Sequence, residues 1–209
     1  MYYIIKIAVW IAFHVYFSLG FEGRDNIPRG EAVIYASNHR SNADPPLVGV
    51  GARGKYAFMA KEELFQNKLF AWLIRTLGAF PVSRGKGDMA VIEMAIDRLH
   101  SGRSLMIFPE GTRSKTGKVG RGHSGAALIA ARADKRIVPV GVVFGDKLKF
   151  RTRVTVKFGK PIDPKDYVEP ADEPNPRQLV KLKNRYMADI KELVEGAPKP
   201  ENKEETDNA

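Results

Sequence analysis

Cysteine is absent from the 209-residue sequence. Without thiols the chain can form no disulfide, cannot use a thiolate as a nucleophile and cannot build a metal site from cysteine ligands. The sequence also contains no internal repeat. The function must therefore come from a non-repetitive fold whose reactive groups are imidazole, carboxylate, hydroxyl or cationic side chains.

Acidic residues are in deficit, with 24 Asp and Glu against 34 Lys and Arg, so the formal net charge is +10. A basic balance of this size indicates anionic partners, such as nucleic acid, a phospholipid surface, or acidic or phosphorylated substrates. With 44% hydrophobic and 28% charged residues, the composition is that of an ordinary globular protein. The length suits one domain with a short appendage.

Long apolar runs are scarce, and residues 1–20 form the single example. A helix of about 20 residues reaches roughly 30 Å, enough to cross a hydrocarbon core. Its polar members Tyr3, Lys6, His14 and Ser18 share about a third of the helical circumference, which also permits a helix lying in the membrane interface. A signal peptide and a buried core helix are the alternatives. We predict a membrane helix, spanning or interfacial.

Predicted strands and helices alternate from residue 31 onward, up to an amphipathic helix near the C-terminus. This alternation predicts an α/β fold with a mostly parallel central sheet flanked by helices. We expect one folded domain over residues 21–195 and a disordered tail over 196–209, where no apolar period is present. In such folds the chemistry gathers at the carboxyl ends of the strands.

His39 and Asp44 follow the first strand of this alternating region. On a continuous helix they would lie about 140° apart and could not meet, but Pro45 and Pro46 favour a turn. Two interpretations stay open. Asp44 can cap a helix that has proline at its first position, and Asp44 can hold the His39 imidazole as a general base.

Two further strand ends carry polar motifs. "FPEGTRS", residues 108–114, combines a glycine turn with an arginine, which suits an anion cradle but also an ordinary turn. "GAFPVSR", residues 78–84, ends in Arg84, which is otherwise a surface cation. If these strands are neighbours, their polar ends converge with His39 on one rim of the sheet.

Four blocks in this order resemble the motifs of the 1-acylglycerol-3-phosphate acyltransferase family, also called lysophosphatidic acid acyltransferases, within the glycerolipid acyltransferases. The blocks are "NHRSNADP" (38–45), "GAFPVSR" (78–84), "FPEGTRS" (108–114) and "IVPVG" (137–141). The similarity covers roughly residues 20–165. It implies a glycerolipid acyltransferase-like fold in which the folded domain is the catalytic domain.

The resemblance also implies a reaction. The acyl chain of a thioester, on coenzyme A or acyl carrier protein, is transferred to the sn-2 hydroxyl of lysophosphatidic acid, giving phosphatidic acid. His39 is the implied general base and Asp44 orients it. No metal ion or organic cofactor is implied.

The same resemblance implies a set of substrate-binding residues, in which the arginines hold the acceptor phosphate. These residues are Arg84, Glu110, Gly111, Thr112, Arg113 and Pro139. Asn38, Lys61 and His123 are further candidates, and His123 stands where many family members carry a lysine.

The implied partners are lysophosphatidic acid, the acyl thioester and anionic membrane lipids, with no nucleic acid. The basic domain after the hydrophobic segment favours the cytoplasmic face of the membrane. Two alternatives remain: an acyltransferase for another lysophospholipid, and a non-catalytic protein that binds anionic membranes. The second draws on residues 147–157, which we predict to be one strand with a basic face.

Overall fold

The computed structural model describes residues 1–82, 89–171 and 173–196. The helices of this part of the chain are α1 (Tyr2–Tyr16), α2 (Asp44–Gly51), α3 (Lys68–Thr76), α4 (Met89–His100), α5 (Gly125–Ala133) and α6 (Pro176–Glu195). The strands are β1 (Ser18–Glu22), β2 (Ile34–Ser37), β3 (Tyr56–Lys61), β4 (Ala79–Val82), β5 (Ser104–Ile107), β6 (Ile137–Phe144) and β7 (Arg153–Phe158). Short 3₁₀ turns occupy Arg24–Asn26, Glu62–Phe65 and Pro164–Asp166.

The seven strands form one sheet in the order β1-β7-β6-β2-β5-β3-β4. Neighbouring strands are parallel except for the antiparallel pair β6–β7. All four residues of β2, at the centre of the sheet, are buried. Such a strand is expected where helices cover both faces of a parallel sheet. The predicted α/β fold with a mostly parallel central sheet is confirmed.

Two layers of helices cover the sheet. Residues of α4, α5 and α6 form a core with one face, and residues of α1 and α2 form a core with the other. For α2, α4 and α5 this division is the one that right-handed crossovers predict, because the chain moves one way along the sheet from β2 through β3 to β4 and back again to β5 and β6.

The N-terminal segment departs from its prediction. The helix ends at Tyr16, and Ser18–Glu22 forms an edge strand parallel to β7, in which the Ser18 N–H donates to Thr152 O at 3.0 Å. Residues 18–20, which we predicted as the end of the helix, therefore pair with the edge of β7 instead. The domain boundary predicted at residue 20 falls inside β1. Among the described residues no helix is both long enough and apolar enough to cross a membrane.

The predicted basic strand over residues 147–157 is also wrong in its first half. Regular pairing begins only at Arg153, because the preceding residues form a turn. Within the turn the Lys149 N–H donates to Thr152 Oγ1 at 2.8 Å, and Arg151 has a left-handed backbone with φ of 64°. The cations of this segment consequently do not share one strand face. The predicted tail, from 197 onward, lies outside the described residues.

Candidate active site

The loops after β2 and β5 meet at the carboxyl edge of the sheet. β2 and β5 are parallel neighbours, so the segments that follow them emerge side by side. The Ser114 N–H donates to His39 O at 2.7 Å, which ties the end of "FPEGTRS" directly to the His39 loop. The structure thus brings two of the three predicted polar strand ends together. The third ends at Arg84, which lies outside the described residues.

His39 and Asp44 are in direct contact. His39 Nδ1 lies 2.8 Å from Asp44 Oδ2, and the same oxygen accepts the backbone N–H groups of Arg40 at 2.6 Å and Ser41 at 2.7 Å. The Asp44 side chain is fully buried, whereas that of His39 is 16% exposed. A carboxylate held by two backbone donors cannot swing away, so it fixes the imidazole in place.

The capping interpretation of Asp44 is wrong in its geometry. α2 begins at Asp44 itself, after Ala43, and its N-terminus has no side-chain cap. The Asp44 carboxylate turns back toward the loop, where the N–H groups of residues 40 and 41 point at it, instead of forward to the amides of its own helix. Pro45 and Pro46 still occupy the first turn, as the sequence indicated.

The contact with Asp44 also sets the chemistry of the His39 ring. A carboxylate accepts a hydrogen bond, so Nδ1 carries the proton and Nε2 is left as the basic nitrogen. The ring stacks on Phe108, with centroids 4.2 Å apart and planes inclined by 24°. Within the described part of the chain no hydrogen bond to Nε2 is present. This nitrogen is therefore available to take a proton.

Glu110, which we predicted to contact substrate, binds backbone N–H groups of the protein itself. Its Oε1 accepts the N–H of His39 at 3.0 Å, and its Oε2 accepts the N–H of Gly120 at 2.8 Å. The residue is buried. Both carboxylate oxygens are thus engaged with backbone, so the geometry makes Glu110 a clamp on the His39 loop. A direct contact of Glu110 with substrate stays a prediction.

Asn38 anchors the same loop from the other side. The Val142 N–H donates to Asn38 Oδ1 at 2.7 Å, and Asn38 Nδ2 donates to Val142 O at 3.0 Å. The β2–β6 ladder ends at Ser37 opposite Val140, so this buried amide continues the pairing by one more step. The chain can then turn away at His39 without leaving Val142 unpaired.

Arg40 is a residue of this loop that sequence reasoning missed. Its guanidinium donates to the carbonyls of Phe144 at 2.8 Å and Gly145 at 3.1 Å, and it lies over the Phe144 ring at 4.2 Å. It therefore fastens the loop to the end of β6. Charge alone could not have identified it, because 34 Lys and Arg residues are spread through the chain.

Arg113 is exposed and contacts the loop that follows His39. Its Nη1 donates to Asn42 Oδ1 at 3.0 Å, which places the guanidinium beside the His39 loop. Gly111 and Thr112 are exposed next to it, and Gly111 has a left-handed φ of 68°. The ring of His123 packs near Gly111, since a side chain there would meet its Cδ2 at 3.5 Å. These four residues form a solvent-facing group.

Two other predicted residues lie farther from this group. Lys61 is exposed at the carboxyl end of β3, opposite Val82 of β4. Pro139 is buried in β6, level with Ala36, so it lies within the sheet and not on its rim. Direct substrate contacts of Lys61 and Pro139 stay predictions.

A model of the Acyltransferase family matches residues 18–143, which is more than half of the chain. The chain belongs to the acyltransferase family. A 1-acyl-sn-glycerol-3-phosphate acyltransferase from Streptococcus pneumoniae is 37% identical to it over 181 residues, or 84% of this chain. A lyso-ornithine lipid O-acyltransferase from Pseudomonas aeruginosa is 31% identical over 115 residues, which cover 54% of this chain and 44% of that protein.

A crystal structure of the 1-acyl-sn-glycerophosphate (LPA) acyltransferase PlsC from Thermotoga maritima has the same fold. It matches with a TM-score of 0.71 and 28% identity, over 91% of this chain and 79% of that chain. The acyltransferase family resemblance is therefore confirmed. The chain spans 66% of the length of the S. pneumoniae relative and 42–43% of two chloroplastic ones.

Proposed function

We propose that this chain transfers an acyl group from a thioester donor to the sn-2 hydroxyl of 1-acylglycerol-3-phosphate, giving phosphatidic acid. The observation that carries the proposal is the 2.8 Å contact of His39 Nδ1 with the buried Asp44 carboxylate, together with an Nε2 to which no described residue hydrogen-bonds. The names of the S. pneumoniae and T. maritima relatives support the choice of acceptor.

The reaction is a direct transfer. The acceptor hydroxyl oxygen attacks the thioester carbonyl carbon, and His39 Nε2 takes the hydroxyl proton as general base. Asp44 stabilises the imidazolium that forms. As the tetrahedral intermediate collapses, the C–S bond breaks and the imidazolium proton passes to the departing thiolate. The products are an ester and a free thiol, and the step needs no metal ion or organic cofactor because the thioester is already activated.

The acceptor phosphate is the proposed ligand of Arg113, together with Arg84. Arg113 is exposed beside the His39 loop, so a phosphate bound there would lie near the hydroxyl that reacts. A guanidinium can bind two phosphate oxygens at once, which orients the substrate as well as attracting it. Thr112, the exposed turn at Gly111 and the neighbouring His123 complete the proposed anion cradle. Lys61, which lies farther away at the end of β3, is a separate proposed contact.

Both candidate donors are anionic, since coenzyme A carries phosphates and acyl carrier protein is acidic. The net charge of +10 favours either one. The two donors are therefore distinguished by experiment.

We further propose that α1 lies in the interface of an anionic membrane, with the catalytic domain on the cytoplasmic face. Ile4, Ile7, Ile11 and Val15 are exposed and recur at helical spacing, so they form one apolar stripe. The opposite side of the helix is anchored: Tyr2 OH accepts the Tyr56 N–H at 3.3 Å. A docked helix with an outward apolar stripe suits an interface better than water.

The second candidate acceptor is another lysolipid: a lysophospholipid with a different head group, or lyso-ornithine lipid, which carries no phosphate and for which the P. aeruginosa relative is named. A non-catalytic protein that binds anionic membranes is the remaining alternative. The two acceptors differ in the head group, since only 1-acylglycerol-3-phosphate offers Arg113 a phosphate monoester.

The test is acyl transfer by the full chain purified in detergent. Each donor, acyl-coenzyme A and acyl carrier protein, is paired with 1-acylglycerol-3-phosphate and with lyso-ornithine lipid, and the lipid product is identified by mass. We expect phosphatidic acid from at least one donor. Product from lyso-ornithine lipid alone would support the second acceptor. No product from any pair, with retained binding to anionic vesicles, would support the non-catalytic alternative.

A further inference from the structure

The helix α3 has apolar side chains on the side that faces away from the core. Ala71 and Ile74 point inward and are buried. Leu69 lies on the opposite side at 75% exposure, and Phe70 and Trp72 flank it at 43% and 49%. A helix on the surface of a soluble protein normally presents polar residues there. The exposed apolar side of α3 therefore indicates a binding surface.

α3 lies on the same face of the sheet as α1. Phe58 of β3 packs against the core that contains α1 and α2, and it also packs against the small core of Ala60, Ile74 and Ala79 that holds α3. Both helices thus cover one face, and their outward sides point away from that face in a common direction. The apolar stripe of α1 and the apolar side of α3 are consequently presented together.

The charges of α3 suit an anionic surface. Lys68 and Arg75 are exposed on this helix, which contains no acidic residue. Glu62 and Glu63 are confined to the preceding turn. Apolar side chains bordered by cations are the pattern of a helix that lies at the boundary between lipid headgroups and acyl chains.

We propose that α3 is a second membrane-contact element, in which Leu69, Phe70 and Trp72 enter the interface of an anionic phospholipid bilayer. Leu64, on the turn that precedes α3, is a further exposed apolar side chain. The proposal rests on the proposed membrane attachment of α1 but not on acyl transfer. Two contacts on one face, at α1 and at α3, would fix the tilt of the sheet against the bilayer.

The two tryptophans of the chain, Trp10 on α1 and Trp72 on α3, allow a direct test. In the full chain carrying Trp10→Phe, Trp72 is the sole tryptophan. Its fluorescence is measured with vesicles of phosphatidylglycerol and phosphatidylcholine whose acyl chains are brominated. We expect strong quenching relative to unbrominated vesicles. Unquenched Trp72 on vesicle-bound protein would overturn the proposal.

The companion variant Trp72→Phe separates the two proposals, because Trp10 then reports on α1 alone. Quenched Trp10 with unquenched Trp72 would overturn the role of α3 and leave the attachment by α1 intact. Failure of both variants to sediment with vesicles would overturn both. A doubled mass in solution together with unquenched Trp72 would overturn the lipid contact and assign this surface to a second copy of the chain.

A matched pair of substitutions measures the strength of the contact. Leu69→Ser removes the most outward side chain of α3, and Val180→Ser removes an exposed apolar side chain from α6, which packs on the other face of the sheet. We expect vesicle partitioning to fall about tenfold for Leu69→Ser and to stay unchanged for Val180→Ser. Equal partitioning of the two variants would contradict the proposal.

Discussion

The backbone N–H of His39 donates to Glu110 Oε1 at 3.0 Å, across 71 positions of sequence. The other oxygen of the same carboxylate accepts the N–H of Gly120 at 2.8 Å. One buried side chain therefore ties the His39 loop to both ends of the segment that follows β5. The position of the His39 imidazole depends on this link as well as on Asp44.

Replacing Glu110 by Gln tests the link. The amide keeps one acceptor but turns an N–H donor toward a backbone N–H, so one buried contact is lost. We expect kcat to fall about 10- to 100-fold with little change in the acceptor KM, and the free energy of unfolding to fall by about 1–3 kcal/mol. Steady-state kinetics and urea unfolding measure these quantities. Lys115→Gln, at an exposed position of the same loop, is the control. A rise in acceptor KM alone would instead indicate a substrate contact.

Replacing Asn38 by Ala leaves the N–H and C=O of Val142 without their partners in the core of the sheet. We expect the free energy of unfolding to fall by about 1–3 kcal/mol, because buried backbone groups then lack hydrogen bonds. Asn42→Ala provides the comparison, since Asn42 is exposed and its bond to Arg113 faces solvent. Urea unfolding should show a smaller loss for Asn42→Ala. Equal losses of unfolding free energy in the two variants would show that the hydrogen bonds between Asn38 and Val142 add no more stability than an exposed side-chain bond does.

Arg113 separates binding of the acceptor from the chemical step. With Arg113→Ala we expect the KM for 1-acylglycerol-3-phosphate to rise at least about tenfold while kcat changes little, because the guanidinium binds the phosphate and not the reacting hydroxyl. Arg113→Lys should recover part of the affinity. An Arg113→Ala enzyme that loses kcat at unchanged KM would contradict the phosphate assignment.

Lys6 makes the docking of α1 sensitive to pH. Burial, together with a smaller effect of the charge of Arg24, lowers the pKa of Lys6 from 10.5 to about 8. Between pH 8 and 10.5 the unfolded chain binds more protons at Lys6 than the folded chain does, so this residue makes the fold more stable as the pH rises. Below pH 8 both states are protonated and its contribution is constant.

The corresponding measurement compares the wild type with Lys6→Met. The difference between their free energies of unfolding should shift in favour of the wild type as the pH rises from 8 to 10. Tyr2, whose pKa burial raises to about 12, begins to act in the opposite direction only above pH 10. Because both proteins contain Tyr2, its effect cancels in the difference. A difference independent of pH between 8 and 10 would contradict a buried Lys6.

The sequence was sufficient to predict the sheet, because alternating elements are a local pattern that indicates a mostly parallel α/β fold. The spacing of His39 and Asp44 with two following prolines left a helix cap and a direct contact both open. The family resemblance implied the contact, which the structure contains. The prediction failed at Ser18–Glu22 because these residues form a strand only by pairing with the edge of β7, which is distant in sequence.

The clamps on the His39 loop could not be predicted for a similar reason. Asn38 and Glu110 stand in recognisable motifs, but their partners Val142 and Gly120 contribute backbone groups. Every residue has such groups, so the sequence does not indicate which of them will be bound. The orientation of the Asp44 carboxylate was missed because the choice between its own helix and the preceding loop depends on where the loop N–H groups point. These features belong to the folded arrangement alone.

The most direct test of the account is the turnover of His39→Ala at saturating donor and acceptor. His100→Ala, at an exposed position on α4, is the control, and far-UV circular dichroism verifies that both variants are folded. We expect His39→Ala to lose at least about 100-fold in kcat while His100→Ala retains full activity, since a general base contributes about 10²–10⁴-fold. A folded His39→Ala protein with more than a tenth of the wild-type kcat would contradict the assignment of His39 as the base.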